Sequence, residues 1–157
     1  MNDEIIEKYM KAGAIAAEAR DKGVAQIKPG VSFLNIVSIV EEIIEKRGAA
    51  PSFPVNISVN EIAAHFSPLK DDTHVFKTGD VVKLDVGTHI DGYIADTAVT
   101  TEVDSDEYTS LISASEEALE KVISYMKPGV SLNEIGKMVQ QTIQSYDFQP
   151  IENLTGH

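Results

Sequence analysis

The run GDVVKLDVGTHIDGYIADTAVTT at 79–101 constrains the fold more than any other part of the chain. It contains two stretches rich in Val, Ile and Thr on either side of Asp91-Gly92, the residue pair most typical of a tight β-hairpin turn. With Asp91 and Gly92 at the turn, the strand register is fixed. The predicted cross-strand pairs are Ile90 with Tyr93, Leu84 with Val99, and Asp85 with Ala98.

The two faces of this predicted hairpin differ in chemistry, because side chains alternate between faces along each strand. One face is apolar and is predicted to face a core; it carries Val82, Leu84, Val86, Ala95, Thr97 and Val99. The other face, called the acidic face below, carries Lys83, Asp85, Gly87, Asp96 and Thr100. Asp85 and Asp96 are diagonal neighbours on it, with Cα atoms about 7–8 Å apart or less.

Two ionised carboxylates at that separation repel each other unless one is protonated or a cation lies between them. Carboxylate oxygens that converge from two strands suit a hard divalent cation, and one carboxylate can bridge two such ions. The spacing alone leaves two interpretations open. Asp85 and Asp96 hold metal, or they simply line a solvated sheet face.

Composition limits the class of protein. A chain of 157 residues is long enough for one domain with a real core. The formal net charge of −12 disfavours a nucleic-acid partner, because phosphate binding depends on Lys and Arg. No stretch approaches the roughly 20 apolar residues of a membrane span, and the absence of cysteine excludes disulfides and thiolate sites. We expect a cytoplasmic protein with no membrane partner.

Four helices are predicted around the hairpin. The first covers residues 3 to about 26, and the second follows Ser32, a good N-cap. Residues 51–78 are predicted to be extended and loop-like. The third helix, from about 106 to 125, is expected to be capped by Asp104 or Ser105, with Leu111, Ile112, Ala118, Leu119 and Val122 inward. Ser131 and Glu134 form a capping box for the fourth helix.

An internal repeat links these helices, because Lys-Pro-Gly-Val-Ser occurs at both 28–32 and 127–131. A helix lies on each side in both copies, which indicates two related units, about 1–103 and about 104–157. The second unit has its helices but almost none of the sheet. We therefore expect residues 1–157 to be a single, truncated catalytic-domain fragment that leaves sheet edge and apolar helix surface uncovered.

Together these features resemble type II methionine aminopeptidases of the short archaeal kind, which belong to the creatinase-like metallopeptidases. Three segments carry the resemblance: FPVNISVNEIAAHFSP at 53–68, KLDVGTHIDGYIADTAVT at 83–100 and NLTGH at 153–157. The resemblance covers the whole chain but only about the first half of the family's catalytic domain. It implies the α+β "pita-bread" fold, with two pseudo-symmetric halves and a site on the concave sheet surface.

The resemblance also implies roles for individual residues. Asp85 would contact one metal ion through both oxygens, Asp96 would bridge two ions, and His157 would bind the other ion. His65 would be the catalytic histidine that contacts the substrate near the scissile bond, and Phe53 would line the methionine pocket. The implied cofactors are two divalent ions, with Co, Mn, Fe and Zn all compatible with such ligands.

The implied activity is removal of the initiator methionine from nascent proteins. The family's two glutamate ligands lie in the second half, so we expect this chain alone to have little or no activity. Peptide N-termini that begin with Met are the implied partners, with the ribosome as a further candidate. The full-length parent is expected to be a monomer, whereas the fragment could self-associate. Two alternatives stay open: another pita-bread hydrolase such as an Xaa-Pro dipeptidase, and a non-catalytic relative that binds ribosomes or RNA.

Overall fold

The computed structural model describes residues 2–154, and the chain divides into two compact units between Asp106 and Glu107. The elements of the first unit are α1 (Asp3–Val24), α2 (Phe33–Lys46), β1 (Ala50–Pro51), β2 (Asn56–Val59), β3 (Val81–Ile90) and β4 (Tyr93–Glu102). Those of the second unit are α3 (Thr109–Tyr125) and α4 (Leu132–Gln144). The predicted α+β fold class is confirmed.

The hairpin formed by β3 and β4 is the centre of the first unit, and its predicted register is confirmed. Ile90 pairs with Tyr93, and the ladder continues in step to Val81 and Glu102. Asp91 and Gly92 have φ angles of 52° and 84°, so both central turn residues are left-handed, as a type I′ turn requires. The turn and the period-2 pattern therefore agree on a single register.

The sheet is antiparallel, with β3 at its centre. On one side β3 pairs with β4; on its other side it pairs with both β1 and β2 at different positions along its length. The prediction that residues 51–78 are extended and loop-like did not identify β2 as a paired strand. This strand is four residues long, and the alternation of Val55, Ile57 and Val59 with polar residues is the local signal that favours it.

Helices α1 and α2 cover the apolar face of the hairpin and bury it. Val82, Leu84 and Val86 are fully buried in this core, as predicted. Gly23 of α1 allows the close approach, because a Cβ at this position would lie 2.8 Å from Val40 and 2.9 Å from Leu84. The buried Thr88 hydroxyl also donates to the carbonyl of Ala12, at 2.8 Å. The core face is thus packed and its polar groups are hydrogen-bonded.

Two of the predicted helix N-caps are present in the structure, and the third is not. Ser32 caps α2 through the backbone N–H of Asn35, and the Ser131–Glu134 capping box at α4 is present. The prediction that Asp104 or Ser105 caps α3 was wrong, since this helix begins at Thr109. Asp104 instead has a φ angle of 46°, a left-handed conformation that turns the chain after β4 and is incompatible with an N-cap, which is extended.

The second unit is a helix pair with a small core. Ala114, Ala118 and Ile143 are buried there, and the Tyr146 hydroxyl donates to Glu117 at 2.5 Å. Two residues predicted to face inward, Leu111 and Leu119, are instead exposed. Large apolar side chains are exposed on both helices and on the segment between them: Leu119, Ile123, Met126 and Leu132. None of the helices in residues 2–154 is long and apolar enough to cross a bilayer.

Candidate metal centre

Asp85 and Asp96 lie together on the acidic face of the hairpin, as predicted. Asp85 pairs with Ala98, and Asp96 pairs with Gly87, so the two aspartates are diagonal neighbours. Asp85 is half-buried and Asp96 is exposed. Burial raises the pKa of Asp85 above its ordinary value, and the charge and hydrogen bonding of the nearby Asp96 raise it further. A positive charge between the two carboxylates would relieve this repulsion.

Two side chains oppose this rise in the pKa of Asp85. Asn56 lies on β2 directly opposite Asp85 in the sheet and is 8% exposed. Its side-chain amide lowers the pKa of Asp85, and the electrostatic interaction with His65 lowers it too. His65 lies in the loop that follows β2, outside the sheet.

One oxygen of Asp85 has no protein partner. Its Oδ1 atom is buried and accepts no hydrogen bond, which is costly for a carboxylate oxygen unless something else binds it. A hard divalent cation prefers such oxygen ligands, so the chemistry of the donor set fits a metal ion. Within residues 2–154, no group of three or more His, Asp or Glu side chains is arranged to hold one. The described part of the site is the aspartate pair.

Phe53 forms the wall beside this pair because Gly87 makes room for it. A Cβ added at Gly87 would overlap both the Phe53 ring and the Ser52 hydroxyl. Gly87 lies on the acidic face directly opposite Asp96, so the half-buried ring covers the strand next to the two carboxylates. The Ser52 Oγ atom there is also buried without a hydrogen-bond partner. The site is an apolar surface that borders two acids.

His65 has a backbone conformation that is uncommon for a residue other than glycine. Its φ angle is 65°, in the left-handed region that Asn, Asp and His adopt more readily than other side chains. Such conformations are concentrated at functional sites. The side chain is exposed, and it acts electrostatically on Asp85.

Three histidines occur in the chain besides His65: His74, His89 and His157. His157, the predicted third metal ligand, lies outside the described residues. His74 stacks on Phe33 and contacts Asp72 at 2.9 Å. His89 accepts a hydrogen bond from the backbone N–H of Gly92 at the hairpin turn. The structure thus gives His74 and His89 structural contacts.

Sequence reasoning missed Asn56, Ser52 and the packing role of Gly87. The alternation of Val55, Ile57 and Val59 with polar residues favours a strand at β2, but the register against β3 that puts Asn56 opposite Asp85 has no local signal. Gly87 did carry a signal, since a glycine within a strand often marks a close approach by another group. The approaching group, Phe53, follows from the fold and not from spacing.

Comparisons with known proteins agree with the resemblance drawn from the sequence. Residues 7–157 match the metallopeptidase family M24. Methionine aminopeptidases from Archaeoglobus fulgidus and Methanocaldococcus jannaschii are 52% and 48% identical to this chain over its whole length. In both cases the chain spans 53% of the relative, about half its length.

Solved structures give the same result. The crystal structure of a methionine aminopeptidase from Thermotoga maritima matches with a TM-score of 0.93 and 35% identity, over all of this chain and 66% of that one. A prolidase from Pyrococcus furiosus matches with a TM-score of 0.78 at 24% identity, over 92% of this chain and 44% of that one. The prolidase match supports the fold alone, and the pita-bread prediction is confirmed.

Proposed function

Because this chain belongs to metallopeptidase family M24, we propose that its acidic face is one part of the metal centre of a methionine aminopeptidase. The observation that carries the proposal is the Asp85–Asp96 pair, in which one buried carboxylate oxygen has no protein partner. A sheet surface that served only the fold would not bring two like charges together at a half-buried position.

Family membership implies divalent metal cofactors, and Asp85 and Asp96 are the residues proposed to hold them. Two ions, with Co, Mn, Fe or Zn as candidates, agree with the resemblance, and His157 is proposed as a further ligand. When bound, such ions supply an activated water and polarise the scissile carbonyl. The aspartates of this chain would neutralise the charge of the metal ions and would hold the ions on the rigid hairpin rather than on a loop.

The substrate proposed for this site is a peptide with an N-terminal methionine. Phe53 gives the side-chain pocket an aromatic wall, and a thioether packs well against an aromatic ring. His65 is the proposed catalytic contact to the substrate, because its imidazole acts electrostatically on Asp85 and therefore lies near the reacting groups. The acidic charge of the chain favours approach of a cationic peptide N-terminus. We place this reaction in the cytoplasm, on chains that emerge from the ribosome.

The experiment that tests the proposal restores the rest of a metal centre. A chimera would join this chain to the remaining part of the Archaeoglobus fulgidus relative, and methionine release from Met-Ala-Ser would be measured with Mn²⁺ or Co²⁺ added. We expect release by the chimera, a loss of at least about 100-fold in Asp96→Ala, and little or no release by the 157-residue chain alone.

The controls separate the possible outcomes. Asp71→Asn changes an exposed acid elsewhere in the first unit and should leave methionine release unchanged. An Xaa-Pro peptide in the same assay distinguishes the prolidase activity that the shared fold also allows. Full activity in the Asp96→Ala chimera, or cleavage of Xaa-Pro alone, would refute the proposed function.

A further inference from the structure

Asn56 and Ser67 form a short polar chain that ends at Asp85. Asn56 is 8% exposed and pairs with Asp85 across β2 and β3. The Ser67 hydroxyl donates to Oδ1 of Asn56 at 2.6 Å. Strand pairing is made by the backbone, so the fold does not require these two polar side chains. A buried amide is costly unless its polar atoms are satisfied.

The contacts with Ser67 and with the Asp85 carboxylate together set which way the Asn56 amide points, because a hydroxyl can donate or accept whereas an ionised carboxylate only accepts. An asparagine side chain has one carbonyl oxygen that accepts and one NH₂ group that donates. Since Oδ1 accepts from Ser67, the NH₂ group is left for Asp85, and the Asn56 side chain does interact with that carboxyl group. The opposite orientation would bring two acceptor oxygens together, so the network itself selects the amide orientation.

The consequence for Asp85 is a defined arrangement of its two oxygens. The Asn56 amide lies beside the carboxyl group on the β2 side, while Oδ1 has no protein partner. A ligand carboxylate whose orientation is set by a neighbour loses less conformational entropy when a cation binds. Asn56 does not need to touch the cation to have this effect.

We propose that Asn56, oriented by Ser67, is a positioning residue that holds Asp85 ready for a divalent cation. The inference rests on the proposed function, since it takes Asp85 as a metal ligand. It adds two residues that act through Asp85 rather than on the substrate. Outer-shell partners of this kind typically change metal affinity by about 10- to 100-fold.

The test measures the Co²⁺ affinity of the chimera described above by calorimetry, without any activity assay. Asn56→Leu keeps a similar side-chain size but removes the amide, and should weaken Co²⁺ binding by about 10-fold or more. Ser67→Ala removes the orienting hydroxyl and should weaken binding by a smaller factor, whereas Ser67→Thr keeps a hydroxyl and should restore it. This Ala/Thr pair keeps the test decisive even if Asn56→Leu unfolds the chain.

A matched serine control comes from α2. Ser38 is exposed on that helix, so Ser38→Ala should leave Co²⁺ affinity unchanged. Unchanged affinity in Asn56→Leu, or no difference between Ser67→Ala and Ser67→Thr, would overturn the inference while leaving the metal centre intact. Asp85→Ala separates the two proposals: if the unsubstituted chimera binds no Co²⁺, or the Asp85→Ala chimera binds it normally, the metal centre itself is refuted.

Discussion

The two faces of the β3–β4 hairpin have the same backbone and opposite physical characters. On the face covered by α1 and α2, Val82, Leu84 and Val86 are fully buried, and the one polar side chain of β3 there, Thr88, is hydrogen-bonded. On the acidic face, Asp85 is half-buried beside another carboxyl group. Oxygen atoms of Asp85 and Ser52 are buried there without partners.

This difference separates residues that stabilise the protein from residues that act for a ligand. A face selected only for stability would satisfy its buried oxygens and separate its like charges. The acidic face does neither, which is typical of a binding site whose ligand completes the interactions. When no metal is present, truncating a buried apolar side chain of the core face should therefore lower the free energy of unfolding, whereas neutralising Asp85 on the acidic face should raise it.

The largest expected effect is on the core face. Leu84→Ala removes a fully buried side chain from the contact with α1 and α2. We expect the free energy of unfolding to fall by about 2–5 kcal/mol, because apolar transfer energy is lost and a cavity is left. Urea unfolding of the metal-free chain, followed by far-UV circular dichroism, measures this change.

A control for Leu84→Ala lies on the opposite face of the same hairpin. Ile94 is 52% exposed on β4, so Ile94→Ala should change the free energy of unfolding by no more than about 0.5 kcal/mol. Equal losses in the two variants would contradict the assignment of the core to the α1–α2 side.

The contrast between the faces was predictable from sequence because its causes are local. The Asp91-Gly92 turn set the register, and period-2 alternation then put Asp85 and Asp96 on one face. The helix caps at Ser32 and Ser131 were equally local. Nothing local predicts that Asn56 lies opposite Asp85, or that the Phe53 ring covers Gly87, because both contacts join segments that are distant in sequence.

The next effect concerns the packing of Phe53 on the acidic face. Gly87→Ala adds a methyl group that would overlap the Phe53 ring, so the ring must move away from the aspartate pair. We expect a loss of about 1–3 kcal/mol in the free energy of unfolding, the usual cost of overpacking. Thermal unfolding of the metal-free chain would detect it.

Two further variants test whether overlap is the cause of that loss. The effect of Gly87→Ala should be smaller in a Phe53→Ala background, which removes the ring from the double-mutant cycle. Gly136→Ala, on α4, adds a methyl group with no heavy atom within 4 Å and should not destabilise the protein. An equally large effect of Gly87→Ala with and without Phe53 would mean that the ring does not rest on this strand.

The smallest effect has the opposite sign and depends on pH. Burial and Asp96 raise the pKa of Asp85 above its ordinary value of 3.8 in the folded state, so ionised Asp85 destabilises the metal-free fold. The stability that goes with protonated, uncharged Asp85 is fully present below pH 3.8 and is lost as pH rises through the folded-state pKa. Asp85→Asn removes the charge, so it should raise the free energy of unfolding at neutral pH by up to about 1 kcal/mol, and should lose this advantage below about pH 4. Urea unfolding of both proteins in EDTA across this pH range measures the difference.

Asp71→Asn, at an exposed position, should show no such pH-dependent gain. A wild-type chain that is more stable than Asp85→Asn at pH 7 would mean that the acidic face is held together by its own contacts and needs no cation.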